Sequence, residues 1–189
     1  MDTVSYTRMA DMTEHDAWLL EEDTQELLRT YPGRLLQAVA ALREFQGPLK
    51  VTRLEHSLQT ATRAHRDGRP EEYVVACLIH DIGDELAPYS HGQMVAAILR
   101  PYVPERICWM IEKHALFQSY YYAHLVGLDR NGRDKYRDHE YYQDCVDFCE
   151  LYDQESFDPA YDTLDLEFFA PMVNRVFGRE LGFEGSMSA

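Results

Sequence analysis

The stretch Cys77–Glu85, "CLIHDIGDE", decides how this chain is read. It closes the apolar run Tyr73–Ile79, "YVVACLI", and passes without a break into a histidine, an aspartate and two further acids. A helix apolar on every side is a buried one. The spacing therefore predicts a central helix that Pro70, Glu71 and Glu72 open and Gly83 ends, with His80 and Asp81 in its last turn. A polar group buried without a partner costs roughly 2–7 kcal/mol. Something must compensate His80 and Asp81, and a metal ion is one candidate.

Outward from this helix the periodicity stays helical. "TEHDAWLLEEDTQELLRTYPG" begins at a capping threonine and stops at Pro32-Gly33, and "RLLQAVAALREFQGP" stops at Gly47-Pro48. These predict two antiparallel helices over about 13–46. "TRLEHSLQTATRAHRDG" sets Leu54, Leu58 and Ala61 on one stripe; "SHGQMVAAILRPY" offers Ser90 as a cap; "PERICWMIEKHALF" aligns Ile107, Ile111 and His114. "YYQDCVDFCELYD" is helical with Val146, Cys149 and Asp153 on one stripe, "DLEFFAPMVNRVFG" predicts a docked helix over about 165–178, and "FEGSMSA" a frayed end. No strand pattern stands out. The expected fold is all-α, one domain over 1–189 with its core at about 50–155.

Eighteen basic residues against thirty-three acidic ones give a formal charge of -15, which argues against a nucleic-acid backbone or an anionic membrane as partner. Cys77, Cys108, Cys145 and Cys149 form no CxxC pair and read as small core hydrophobes in a reducing compartment. No apolar run approaches about 18 residues. A soluble, cytoplasmic monomer or homodimer is expected.

Each histidine alone is more readily structural than a ligand. The pair His80-Asp81 stands apart because of its buried setting, and His56, His91, His114 and Asp153 present themselves as further members. His15, His65, His124 and His139 read as core or surface residues. The order H, HD, H, H, D, with "HDIGD" at the end of a buried helix, resembles the HD superfamily of metal-dependent helical proteins over roughly residues 50 to 155. That resemblance implies His56, His80, Asp81, His91, His114 and Asp153 as the metal ligands.

Within the superfamily, "LEHSLQTA" followed 24 residues on (80 minus 56) by His80, and the helix ending "LYDQ", look like the mixed-valent di-iron oxygenases: myo-inositol oxygenase and the enzymes that cleave the carbon-phosphorus bond of hydroxylated phosphonates. This implies two iron ions and no organic cofactor. His56, His80 and Asp153 would hold one iron, His91 and His114 the other, and Asp81 would bridge them. In those relatives the substrate hydroxyl and dioxygen meet at the two irons, hydrogen leaves the carbinol carbon, and the adjacent bond breaks. The partners implied are a small hydroxylated substrate and O2. Three positions depart from that branch: Gln118 replaces a lysine, Glu150 replaces an arginine, and "FQGPL" replaces a tyrosine and glutamate that close over the metals, leaving another part for Phe45 or Gln46.

Asp81, Asp84 and Gln118 are the candidate catalytic residues, and Gln118, Tyr121, Tyr122 and Glu150 the candidate substrate contacts. Tyr120, Tyr121 and Tyr122 with Glu150 and Asp84 could receive a cationic group, although an amphipathic wall or subunit contact explains the tyrosines as well. The rival classes are a metal-dependent phosphohydrolase, for which the chain is thin in phosphate-holding cations, and a non-catalytic, metal-stabilised binding module.

Overall fold

The computed structural model describes residues 2–44 and 47–179; the expectations for Phe45, Gln46 and the end "FEGSMSA" fall outside the described residues. Among the described residues the chain is helical, with no strand. Seven α-helices form it: α1 Glu14–Ala41, α2 Arg53–Arg66, α3 Glu71–Ile79, α4 His91–Leu99, α5 Glu105–Gln118, α6 Tyr142–Phe148 and α7 Leu166–Phe177. Short 3-10 turns fill much of the chain between α5 and α6. Helix α3 is the axis of an all-α bundle. Every residue from Tyr73 to Ile79 is buried, with α2, α5 and α7 packed around it. A buried Val, Leu or Ile contributes about 1.5–3 kcal/mol relative to exposure, which is why this unpatterned apolar run takes the centre.

Two capping boxes fix the helix starts. Thr13 and Asp16 cap α1, and Thr52 and Glu55 cap α2, each pair satisfying two backbone N–H groups that a helix start leaves free. Ser90 holds the N-cap place of α4 without a side-chain bond to it.

Two expectations need correction. The N-terminal pair of helices is one helix, α1, which runs through Pro32. Proline removes one helical bond and crowds the preceding turn. Here Arg34 donates to the Leu27 carbonyl at 2.7 Å and to Thr30 Oγ1, while Thr30 Oγ1 donates to the Glu26 carbonyl at 2.8 Å. Pro32, Leu35 and Val39 are buried, so packing carries the helix across the break. The second correction is at α3, which ends at Ile79: His80 is its C-cap and Asp81 opens the turns that follow.

Candidate metal centre

Four helices and one widened turn deliver the histidines and aspartates. Glu55 caps α2 just before His56, so the helix start that aims His56 is itself anchored. The end of α3 gives His80 and Asp81, the first residue of α4 is His91, and the last turn of α5 contains His114. After α6 the backbone loosens into a π-helical turn, Cys149–Asp153, closed by the Gln154 N–H on the Cys149 carbonyl at 3.0 Å. Such turns gather at functional sites, and this one ends on Asp153.

Gly92 sets the approach of α4 to α5. A Cβ there would stand 2.8 Å from the Ile111 carbonyl oxygen and 2.9 Å from that of Glu112. Only a residue without a side chain allows this contact. It brings His91 Nε2 to 3.1 Å from His114 Nε2.

The six side chains form two groups that meet at Asp81. On one side, His56 Nε2 lies 3.2 Å from His80 Nε2, 3.5 Å from Asp81 Oδ2 and 3.3 Å from Asp153 Oδ1, and His80 Nε2 lies 3.2 Å from Asp81 Oδ2. On the other, Asp81 Oδ1 lies 3.3 Å from His114 Nε2 and 3.6 Å from His91 Nε2. The two oxygens of one carboxylate thus face different nitrogens, although His80 and His114, one from each group, also come together with Asp153.

The outer nitrogens decide what the inner ones are. Nδ1 of His56 is 3.0 Å from the Ser156 carbonyl, that of His80 is 2.8 Å from the Cys77 carbonyl, and that of His114 is 2.6 Å from the Ile111 carbonyl. Nδ1 of His91 is 3.2 Å from Asp84 Oδ1. Carbonyls only accept, which assigns the proton of a neutral His56, His80 or His114 ring to Nδ1 and leaves its Nε2 a bare lone pair, whereas His91 Nδ1 is close to Asp84 without making a hydrogen bond among the described residues. Two Nε2 atoms face each other in each group at little over 3 Å. Lone pairs so placed repel unless a cation lies among them, and the mixed nitrogen and oxygen donors suit a transition metal. The residues fit a metal centre.

Without metal, protons take that place. Burial pulls the His114 imidazole down, but its hydrogen bond to Asp81 and the charges of Asp81 and Asp153 outweigh this and push it up to about 9. His56 is likewise raised, against its burial, chiefly by Asp153. Burial, with His114 adding to it, holds His91 below its usual value. Burial would raise Asp81, yet the neighbouring imidazoles His80 and His114 hold it well below the usual carboxylate range.

A cavity of about 360 Å³ opens onto the centre. Asp84, Gln118 and Tyr122, expected from the sequence, line it, and Arg53, Ala115 and Phe157 join them. Asp84 stands between Arg53, its ion-pair partner, and His91. Gln118 Nε2 donates to Asp153 Oδ1 at 3.2 Å, and its Oε1 is buried without a hydrogen-bond partner among the described residues. Phe157 stacks on His56 at 4.5 Å, and Phe148 closes the far side, edge-on to His80 at 5.6 Å.

Two expected substrate contacts lie elsewhere. Glu150 is exposed and Tyr121 is half-buried against the core; neither lines this cavity. The face of Tyr120 is taken by the chain's own Arg130 and Arg133, 4.0 and 3.7 Å from the ring centre. Among the other histidines, His139 stacks on Trp109 at 4.1 Å, His65 meets the edge of Phe168, and His15 and His124 are exposed. Arg53 was missed by the sequence reading, although it sits three residues before His56 and hence on the same helix face. Phe157, in the irregular segment after the π turn, carried no signal.

The family model described as HD domain matches residues 53–145. The chain carries an HD domain. Asp153 lies beyond the matched span but closes the same centre. The chain is also similar to [1-hydroxy-2-(trimethylamino)ethyl]phosphonate dioxygenase (glycine-betaine-forming) of Leisingera caerulea, 33% identical over 81 residues, covering 37% of this chain and 41% of that protein. The chain thus matches about two fifths of the length of that curated relative. No helix among the described residues is long and apolar enough to cross a membrane.

Proposed function

We propose that this HD-domain protein is a di-iron oxygenase that uses O2 to oxidise a small hydroxylated substrate and cleave the bond next to its carbinol carbon. The observation that carries this reading is Asp81, whose Oδ2 faces His56 and His80 and whose Oδ1 faces His91 and His114. Similarity to a phosphonate dioxygenase favours oxygen chemistry over hydrolysis. His56, His80 and Asp153 would hold one iron, His91 and His114 the second, and Asp81 both. When bound, such a pair supplies Lewis acidity towards a hydroxyl and the electrons that dioxygen requires.

The chain's own residues do the rest. Carbonyls of Ser156, Cys77 and Ile111 fix three imidazoles in the tautomer that offers Nε2. Asp84 Oδ1 lies 3.2 Å from Nδ1 of the fourth, His91, and Asp84 is itself paired with Arg53. Gln118 orients Asp153 and offers its free Oε1 as the acceptor for a substrate hydroxyl. Phe157 and Phe148 keep water from the imidazole faces. Tyr122 at the rim completes the substrate wall, while Tyr121 and Glu150 would act only from outside it. We read the whole of 1–189 as one cytoplasmic domain, α1 and α7 packing on the metal-binding core.

Oxygen uptake by the iron-loaded protein with [1-hydroxy-2-(trimethylamino)ethyl]phosphonate and simpler hydroxylated acids tests this reading. Substrate-dependent uptake is expected; iron-loaded protein that consumes no oxygen with any of them contradicts it. The second reading, a metal-dependent phosphohydrolase acting on a nucleotide or phosphomonoester, draws on Arg53 as a phosphate-facing cation in the cavity. Turnover of a phosphomonoester under nitrogen with manganese or cobalt would select it.

A further inference from the structure

A second cavity, of about 240 Å³, lies between the start of α3 and the start of α5. None of its lining residues lines the metal cavity. Its polar side chains include two guanidiniums, Arg69 and Arg106, and the phenol of Tyr73; Pro104, Ile107 and Met110 form an apolar wall.

Two cations, Arg69 and Arg106, and two anions, Glu72 and Asp144, line it, but they are not evenly paired. Arg106 is paired with Asp144, and Glu72 is paired with Arg179 at 2.7 Å. Arg69 has no carboxylate in ion-pair range among the described residues. Its Nε donates to Tyr152 Oη at 2.7 Å, and its guanidinium lies over the rings of Tyr73 and Tyr152 at 5.1 and 5.6 Å. These contacts use one N–H and the π faces, leaving further donors of the guanidinium fork. Arg69 and Arg106 are also near enough for one to oppose the other's charge. Arg69 is thus the lining cation whose guanidinium keeps donors free, with Asp147 acting on it only from beyond ion-pair range.

The Tyr73 hydroxyl is the second observation. Tyr73 is 8% exposed, and its oxygen is buried with no hydrogen-bond partner among the described residues. Burial raises its pKa, so it stays a donor at any ordinary pH. A buried hydroxyl left unbonded costs about 1–3 kcal/mol, and an acceptor brought into the cavity would remove that cost.

We propose that this cavity binds a small monocarboxylate with an apolar body. The carboxylate accepts from the Arg69 guanidinium and the Tyr73 hydroxyl, and the body packs on Pro104, Ile107 and Met110. Two donors that lack an acceptor, with Glu72 and Asp144 already in the lining, match a single carboxylate rather than a multiply charged ion, and the apolar wall disfavours inorganic phosphate. The site stands independently of the chemistry at the metals.

Calorimetric titration of the metal-loaded protein with benzoate, butyrate and inorganic phosphate tests it. One saturable site for benzoate or butyrate is expected, with weaker or no binding of phosphate. Tyr73→Phe keeps the ring and its packing and should weaken binding about tenfold, the loss of one hydrogen bond to a charged group. Arg69→Gln should weaken it at least as much, with Arg69→Lys recovering part. Absence of saturable binding by either carboxylate overturns the proposal. So does a preference for phosphate, or affinity unchanged in Tyr73→Phe and Arg69→Gln but lost in His91→Ala, which would put the carboxylate on the metals.

Discussion

His91 Nε2 stands 3.1 Å from His114 Nε2, and it does so because the backbone of α4 touches that of α5 at Gly92. The second half of the metal centre is thus a consequence of helix packing. One glycine, beside one of the ligands, sets the spacing.

Gly92→Ala should therefore damage both stability and the centre. Its methyl group would meet two carbonyl oxygens of α5, neither of which can swing aside as a side-chain tip does. We expect a loss of about 1–3 kcal/mol by denaturant unfolding, and a fall in bound metal from two ions towards one.

Ligand substitutions should separate the two halves. Asp81→Asn weakens both ions, since both imidazole sets share its carboxylate. His114→Ala weakens the second ion while His56, His80 and Asp153 keep the first. Losing even an outer partner of a ligand costs about 10–100-fold in affinity, so a direct ligand should cost at least that. Competition with a chelator followed by metal analysis reads the difference.

The pH dependence has opposite signs with and without metal. His114 has a folded-state value raised to about 9, above its ordinary value near 6.5. Its contribution to metal-free stability is present below about pH 6.5 and is lost as pH rises through about 9. Metal needs the neutral imidazole, so apparent metal affinity should rise over that same interval. Melting curves of metal-free and metal-loaded protein between pH 6 and 9 should diverge as pH increases; parallel curves would count against the shared seat.

Arg53→Gln separates substrate charge from metal binding. Arg53 lines the cavity and touches no ligand directly, reaching His91 only through Asp84. Metal content should change little. For an anionic hydroxylated substrate KM should rise about tenfold, the loss of one charge-assisted contact, and for a neutral one it should not.

Much of this architecture could be read in the sequence because burial writes a plain signal. The run Tyr73–Ile79 has no polar face, so the histidine and aspartate at its end had to be buried and partnered. Helix starts at Thr13 and Glu71 followed from capping and charge. What stayed hidden depends on contacts between distant segments. Pro32 reads as a stop, and only tertiary packing of Leu35 and Val39 carries α1 through it. Phe157 and the Ser156 carbonyl reach His56 from a hundred residues away. The widened turn before Asp153 has no local signature; it packs on α2, while α6 before it packs on α5, both distant in sequence.

The central claim is that one carboxylate, Asp81, joins two metal ions in one chain. Metal analysis of protein purified without supplementation, combined with electron paramagnetic resonance of a partly oxidised sample, tests it most directly. Two irons per chain and a half-integer signal from a coupled pair are expected. A single ion per chain, or signals from isolated ions alone, would contradict it.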